Sequence, residues 1–152
     1  MNTPEVIDVL NDLVETCKDG EYGFRTSAEQ AHSRPLRANL LACSSECAAA
    51  ADQLRAQVLQ LGGRPEDRGS ATGALHRGWV AVKARLSTYD DLAVLEDCER
   101  GEDSALATYR DALEHDLPAP IRNLVERQYE GAKHNHLEVR NMRESLRATA
   151  RS

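Results

Sequence analysis

Four cysteines, Cys17, Cys43, Cys47 and Cys98, a run of acids at Glu96, Glu99 and Glu102, and the pair His134 and His136 are the side chains of this 152-residue chain best equipped for metal or redox chemistry. Thiolate and imidazole together favour a soft or borderline ion, zinc or copper(I), over iron. Cys43 and Cys47, four apart, share one face of a helix and could also act as a thiol pair. No CxxC pair or zinc-finger spacing occurs, and neither does a Gly-rich phosphate loop, a nucleophile elbow or an HExxH motif. His134 and His136 stand about 200° apart around a helix, so only one of them can face a core. Plainer readings sit beside these. Inward cysteines on an Ala-rich helix pack as small hydrophobes. Glu99 and Glu102 can pair with Arg100, Arg110 or Arg122 on a solvated flank. Glu21 is either a core acid or a surface one, because Gly20 and Gly23 loosen the register around it.

The elements that must position these groups are helices. Thr3-Pro4-Glu5 supplies a capping hydroxyl, a proline in the first turn and an acid beside it. Ile7, Leu10, Val14, Cys17, Phe24 and Ala28 then repeat at three-and-four spacing, predicting a helix to about residue 32. Ser33-Arg34-Pro35 starts a second helix, striped by Leu36, Leu40, Cys43, Cys47, Ala50, Leu54, Val58 and Leu61 and ended by Gly62-Gly63-Arg64-Pro65. A polar connection leads to a shorter helix from Ser70 to about Leu86, and Trp79 and Tyr89 pin that crossover to the rest. Thr88 with Asp91 resembles a capping box for a third long helix to about His115. Leu117-Pro118-Ala119-Pro120 turns the chain into a fourth, with Leu124, Val125, Gln128, Ala132, His136, Val139, Met142 and Leu146 inward.

Four such helices make an all-α bundle in one domain, residues 1–152. The connection over 62–87 is too long for a tight turn, yet long enough to run lengthwise, so helices two and three should be parallel. Aromatic residues at 4% disfavour an all-β fold. A net charge of -6, with both signs interspersed, offers no basic footprint for nucleic acid or an anionic membrane. Neither a membrane-spanning run nor a signal peptide is evident, which predicts a cytoplasmic protein whose cysteines are thiols.

Several stretches resemble known bundles. Val6-Ile7-x-x-Leu10-Asn11-x-Leu13 is similar to the opening of the first helix of bacterioferritin. Ala51-Asp52-x-Leu54 with Leu59-x-Leu61-x-Gly63-x-Pro65 is similar to the end of its second helix. Lys18-Asp19-Gly20-Glu21-x-Gly23-Phe24, Gly69-Ser70 with His76-Arg77-x-Trp79, and Glu99-Arg100-Gly101-Glu102-Asp103 resemble a bacterial family of ferritin-like bundles classed as a domain of unknown function. That second likeness covers nearly the whole chain.

The resemblance implies a ferritin-like four-helix bundle with a helical crossover between helices two and three. Ferritin-like di-iron proteins take one Glu from each of two helices and an ExxH from each of the others. Carried onto this chain, the first Glu falls at Cys17 and the second-helix ExxH at Cys47 and Ala50. Glu99 matches on the third helix, with Glu96 and Glu102 as possible replacements. His136 matches on the fourth, but Lys133 stands where its partner acid belongs. The haem-ligating Met falls at Ala48, so no haem is implied.

Counted along the helices, Cys17, Cys43, Cys47, Glu99 and one histidine fall in one layer. The first expectation is therefore a non-enzymatic bundle that binds a metal ion or a partner in stress protection, forming homo-oligomers. Its candidate ligands are Cys17, Cys43, Cys47 and Glu99, with His136 and Glu21 as additions. A second is a purely structural, self-associating bundle without metal, and a third a thiol-redox or degenerate di-iron oxidoreductase.

Overall fold

In a computed structural model, residues 1–65, 79 and 90–150 are described. Four helices form among the described residues: α1 Thr3–Gln30, α2 Arg34–Gln60, α3 Asp91–Leu113 and α4 Ala119–Ala150. Their limits lie close to those the apolar stripes predict. The expected crossover helix from Ser70 to Leu86 lies outside the described residues except for Trp79.

The caps differ in detail from expectation. Asn2, not Thr3, caps α1: its Oδ1 accepts from Glu5 N at 2.9 Å, while Glu5 Oε2 accepts from Asn2 N at 3.4 Å. Thr3 is already in the helix, where its hydroxyl cannot take that place. Asp90, not Thr88, caps α3, because it sits directly before the first turn, where its carboxylate accepts from Ala93 N at 2.9 Å. Ser33 caps α2 as read, accepting from Leu36 N at 3.3 Å. Gly62 ends α2 at φ +80°, with Gly63 N donating back to Val58 O, a conformation that glycine adopts without β-carbon strain.

Paired contacts set the topology. Ser44 meets the Glu21 carbonyl and Gly63 lies against Ile7, so α1 and α2 are antiparallel. Cys17 meets Tyr109 and the α1–α2 turn meets Asp91, so α1 and α3 are antiparallel too. Glu102 opposite His136 and Glu99 opposite Arg143 set α4 against α3 in the same sense. Helices α2 and α3 therefore run parallel, and the end of α2 and the start of α3 lie at opposite ends of the bundle. One turn is tied down by a single acid: Asp91 accepts from His32 N at 2.7 Å and from Ser33 N at 3.0 Å. Asp91→Ala should cost about 2 kcal/mol, the order expected for amides that lose a charged acceptor. Urea unfolding checks this, and Asp91→Asn should recover part of the loss.

The core is divided lengthwise. One apolar cluster surrounds Leu10, Leu13, Val14, Leu54, Val58 and Val125. The other surrounds Phe24, Leu40, Trp79, Val94, Leu95 and Val139. Helix α1 packs broadly on α2 and α3, and α3 on α4, whereas α2 and α4 touch only sparsely along their shared seam. No helix among the described residues is long and apolar enough to cross a membrane.

Candidate functional site

Between the two clusters the bundle is hollow. A cavity of about 240 Å³ lies at the level of Cys17, Cys47, Glu102 and Gln128 and opens between α2 and α4. Each helix contributes positions three, four or seven apart, one face of a helix: Cys17, Gly20 and Phe24 from α1, Glu102, Ala105 and Tyr109 from α3. The space exists because Gly20, Ala50, Ala105 and Ala132 fill positions where larger side chains would meet. Gly20 is there for a further reason, since a β-carbon on it would lie 2.9 Å from Cys47 Sγ.

Polar side chains span the open α2–α4 seam in place of apolar packing. Asn39 donates to Glu138 at 3.3 Å, Asn135 to Glu46 at 2.5 Å, and Gln128 to Gln53 at 2.9 Å. On α2 these residues are seven apart, and so are Gln128 and Asn135 on α4, which places them in a row along the seam.

A hydrogen-bonded chain crosses the cavity wall. Gln128 Nε2 donates to the Ala50 carbonyl at 3.2 Å as well as to Gln53, which turns Gln128 Oε1 toward Tyr109. The Tyr109 hydroxyl donates its one proton to that oxygen at 3.0 Å. Cys17, 3.3 Å from the same hydroxyl, is then the donor to it. Burial pushes the Cys17 thiol up to about 11 and raises the Tyr109 phenol. The Cys47 thiol is raised by burial and by the nearby Cys17, Cys43, Glu102 and Glu46. Both thiols and the phenol are thus neutral near physiological pH.

Glu102 is the buried acid of the layer. Burial first, then the charges of Glu99 and Asp103, push its carboxyl up to about 9, so it is protonated at neutral pH. Its Oε1 faces His136 Nδ1 at 3.5 Å, while Oε2 is buried without a hydrogen-bond partner among the described residues. His136 Nε2 turns outward to Asp103 at 3.4 Å.

Of the residues singled out in the sequence, Cys17 and Cys47 come together at the cavity, and His136 reaches it through Glu102. His136 is the inward histidine. His134, with 69% of its side chain exposed, pairs with Glu138. Cys43 is buried in the neighbouring cluster, 3.7 Å from Asn39 Oδ1, and burial lifts its thiol to about 12. Glu99 is taken by Arg143 from α4, a partner that the spacing along α3 did not reveal, and Glu102 instead holds the inward position. Glu21 lies on the flank between Lys18 and Arg25, so the option of a core acid there does not hold. Cys98 is buried in the same cluster as Cys43. Among the described residues, no three of His, Cys, Asp or Glu gather as a metal-binding group. The residues present do not fit a di-iron centre: where it needs paired carboxylates, this core offers thiols, alanine and a lone protonated Glu102.

Sequence reasoning missed Gln128 and the seam residues as partners, although amides and acids seven apart on otherwise apolar faces were a visible signal. It also gave Trp79 only an anchoring role, whereas the indole forms part of the cavity wall.

Solved structures share this architecture. The dodecameric thioferritin of Bacteroides fragilis, a bacterioferritin-related protein, matches with TM-score 0.84 at 10% identity over 99% of this chain and 91% of its own. Desulfovibrio desulfuricans bacterioferritin matches with TM-score 0.78 at 16% identity over 96% and 82%. A mutant of Mycobacterium smegmatis Dps1 matches with TM-score 0.78 at 15% identity over 93% and 96%. At such identities the likeness is one of fold. No curated protein matches the chain significantly. The family model described as "Domain of unknown function (DUF2383)" matches residues 5–115, and the chain belongs to that family, built as a ferritin-like four-helix bundle.

Proposed function

We propose that this chain is a non-enzymatic ferritin-like bundle that works as a homo-oligomer and binds a ligand in its central cavity. Ferritin-like proteins build their sites from side chains on facing helices in the bundle core, which is where this cavity lies. One observation carries the reading: around the open space stand two protonated thiols, a phenol, the amides of Gln53, Gln128 and Asn135, and the protonated Glu102, with Glu46 at the mouth, in place of a carboxylate cage. Burial that keeps Cys17 and Cys47 protonated also opposes thiolate redox chemistry. Among ions, the donors Cys17, Cys47, Glu102 and His136 suit zinc or copper(I) better than iron. Self-association is supported by the exposed Leu41, Leu59 and Leu137, and by the dodecameric state named for the Bacteroides fragilis relative.

Iron(II) added in air should be oxidised no faster with the protein than in buffer, and should not remain at two ions per chain after gel filtration. Catalysed oxidation, or a retained pair of irons, would overturn the reading.

A further inference from the structure

The cavity leaves one buried group unserved. Glu102 is 5% exposed, and its Oε2 has no hydrogen-bond partner among the described residues, although an unmade hydrogen bond in such a place is costly. The remaining wall is mostly carbon, with the rings of Phe24, Trp79 and Tyr109 and a floor of alanines. Resting on the reading of this cavity as the binding site, we propose that its ligand is a small uncharged aromatic alcohol, whose hydroxyl meets the Glu102 carboxyl and whose ring lies among Phe24, Trp79 and Tyr109.

Size, charge and hydrogen bonding each support this class. An engineered apolar cavity of about 150 Å³ takes benzene, so 240 Å³ has room for about ten non-hydrogen atoms. An anion would meet Glu46 at the mouth and Glu99 and Asp103 beside Glu102. A cation would face walls that are mostly carbon, which leave its charge and its donors unsolvated. A hydroxyl both donates and accepts, so it suits the carboxyl whichever of its oxygens carries the proton.

The test uses the full chain with 2-phenylethanol and three matched probes: ethylbenzene, 2-phenylethylammonium and phenylacetate. Calorimetry reads the binding, and so does fluorescence, because Trp79 is the chain's one tryptophan and lies in the wall. The alcohol should bind saturably at one per chain and at least tenfold more tightly than the other three. Its advantage over ethylbenzene should vanish in Glu102→Leu. Ala132→Phe, which fills the space, should weaken the alcohol at least tenfold, and Ala105→Met serves if that variant fails to fold. Equal binding of ethylbenzene, or preference for either ion, would overturn the proposal. Zinc or copper(I) retained at one per chain with no organic probe bound would overturn the ligand class and leave the cavity as the binding site. No binding of any probe or metal would overturn both.

Discussion

Gly101→Ala should destabilise the protein by about 3 kcal/mol, although a glycine-to-alanine change inside a helix ordinarily gains about 1 kcal/mol. The reversal comes from Trp79. Its indole is 4% exposed and lies edge-on to Phe24 with ring centroids 4.8 Å apart. Its two faces are closed by the backbones of α1 and α3 at Gly23 and Gly101, and a β-carbon at either glycine would overlap the ring. Neither glycine's backbone can retreat without separating helices that share the core. Trp79→Ala alone should cost about 3–5 kcal/mol as a large aromatic lost from a packed interior. Combined, the two changes should not add: once the indole is gone, Gly101→Ala has room for its methyl and recovers its helix-forming advantage. The coupling from a double-mutant cycle should exceed about 2 kcal/mol, read by urea unfolding followed by circular dichroism. Additive losses would mean that the indole does not occupy the slot between the glycines.

That slot marks where sequence reading stopped. Helix limits and inward faces were legible, because Leu10, Leu40, Leu54, Leu95 and Val139 recur at helical spacing and each is fully buried. The parallel arrangement of α2 and α3 followed from connection length alone. Gly20 and Gly23, by contrast, read as weak points in α1, since spacing reports helical propensity and not the approach of a distant ring or thiol. Of the layer counted along the helices, Cys17 and Cys47 line the cavity, whereas Cys43 and Glu99 do not and Glu102 stands there instead. Its chemistry was not legible. Glu99 and Glu102 are three apart and both fit an inward position, and the choice between them is made by Arg143, which comes from another helix and draws Glu99 aside. Glu21 lost its ambiguity in the same way, held on the flank by Lys18 and Arg25. A pattern along one chain segment fixes a side chain's level and rough direction. Its protonation and partners depend on what three other helices bring to it.

Glu102→Gln should make the protein more stable as the solution becomes more alkaline, relative to the unaltered chain. The carboxyl has an ordinary value of 4.5 and sits at about 9 in the folded protein. Between those limits the folded chain keeps a proton that the unfolded chain has released, so stability falls as pH rises. The contribution is whole below the unfolded value and is lost progressively up to the folded one, at about 1.4 kcal/mol per pH unit. Glutamine does not titrate and keeps nearly the same shape. The variant should match the parent within about 1 kcal/mol near pH 5 and exceed it by about 2–4 kcal/mol near pH 8, several degrees in Tm. The groups around Glu102 are Glu99 and Asp103 on α3, His136 on α4, Cys17 on α1 and Cys47 on α2. The two cavity thiols titrate above this window, and the two acids reinforce the shift through repulsion. Among the described residues, His136 is the neighbour whose positive charge would reverse it, holding Glu102 as a carboxylate across the 3.5 Å contact. Urea unfolding at three pH values separates the two arrangements. Diverging curves mean a protonated Glu102 in a neutral cavity, and parallel curves mean an ion pair at its wall, which would remove the charge argument for an uncharged ligand.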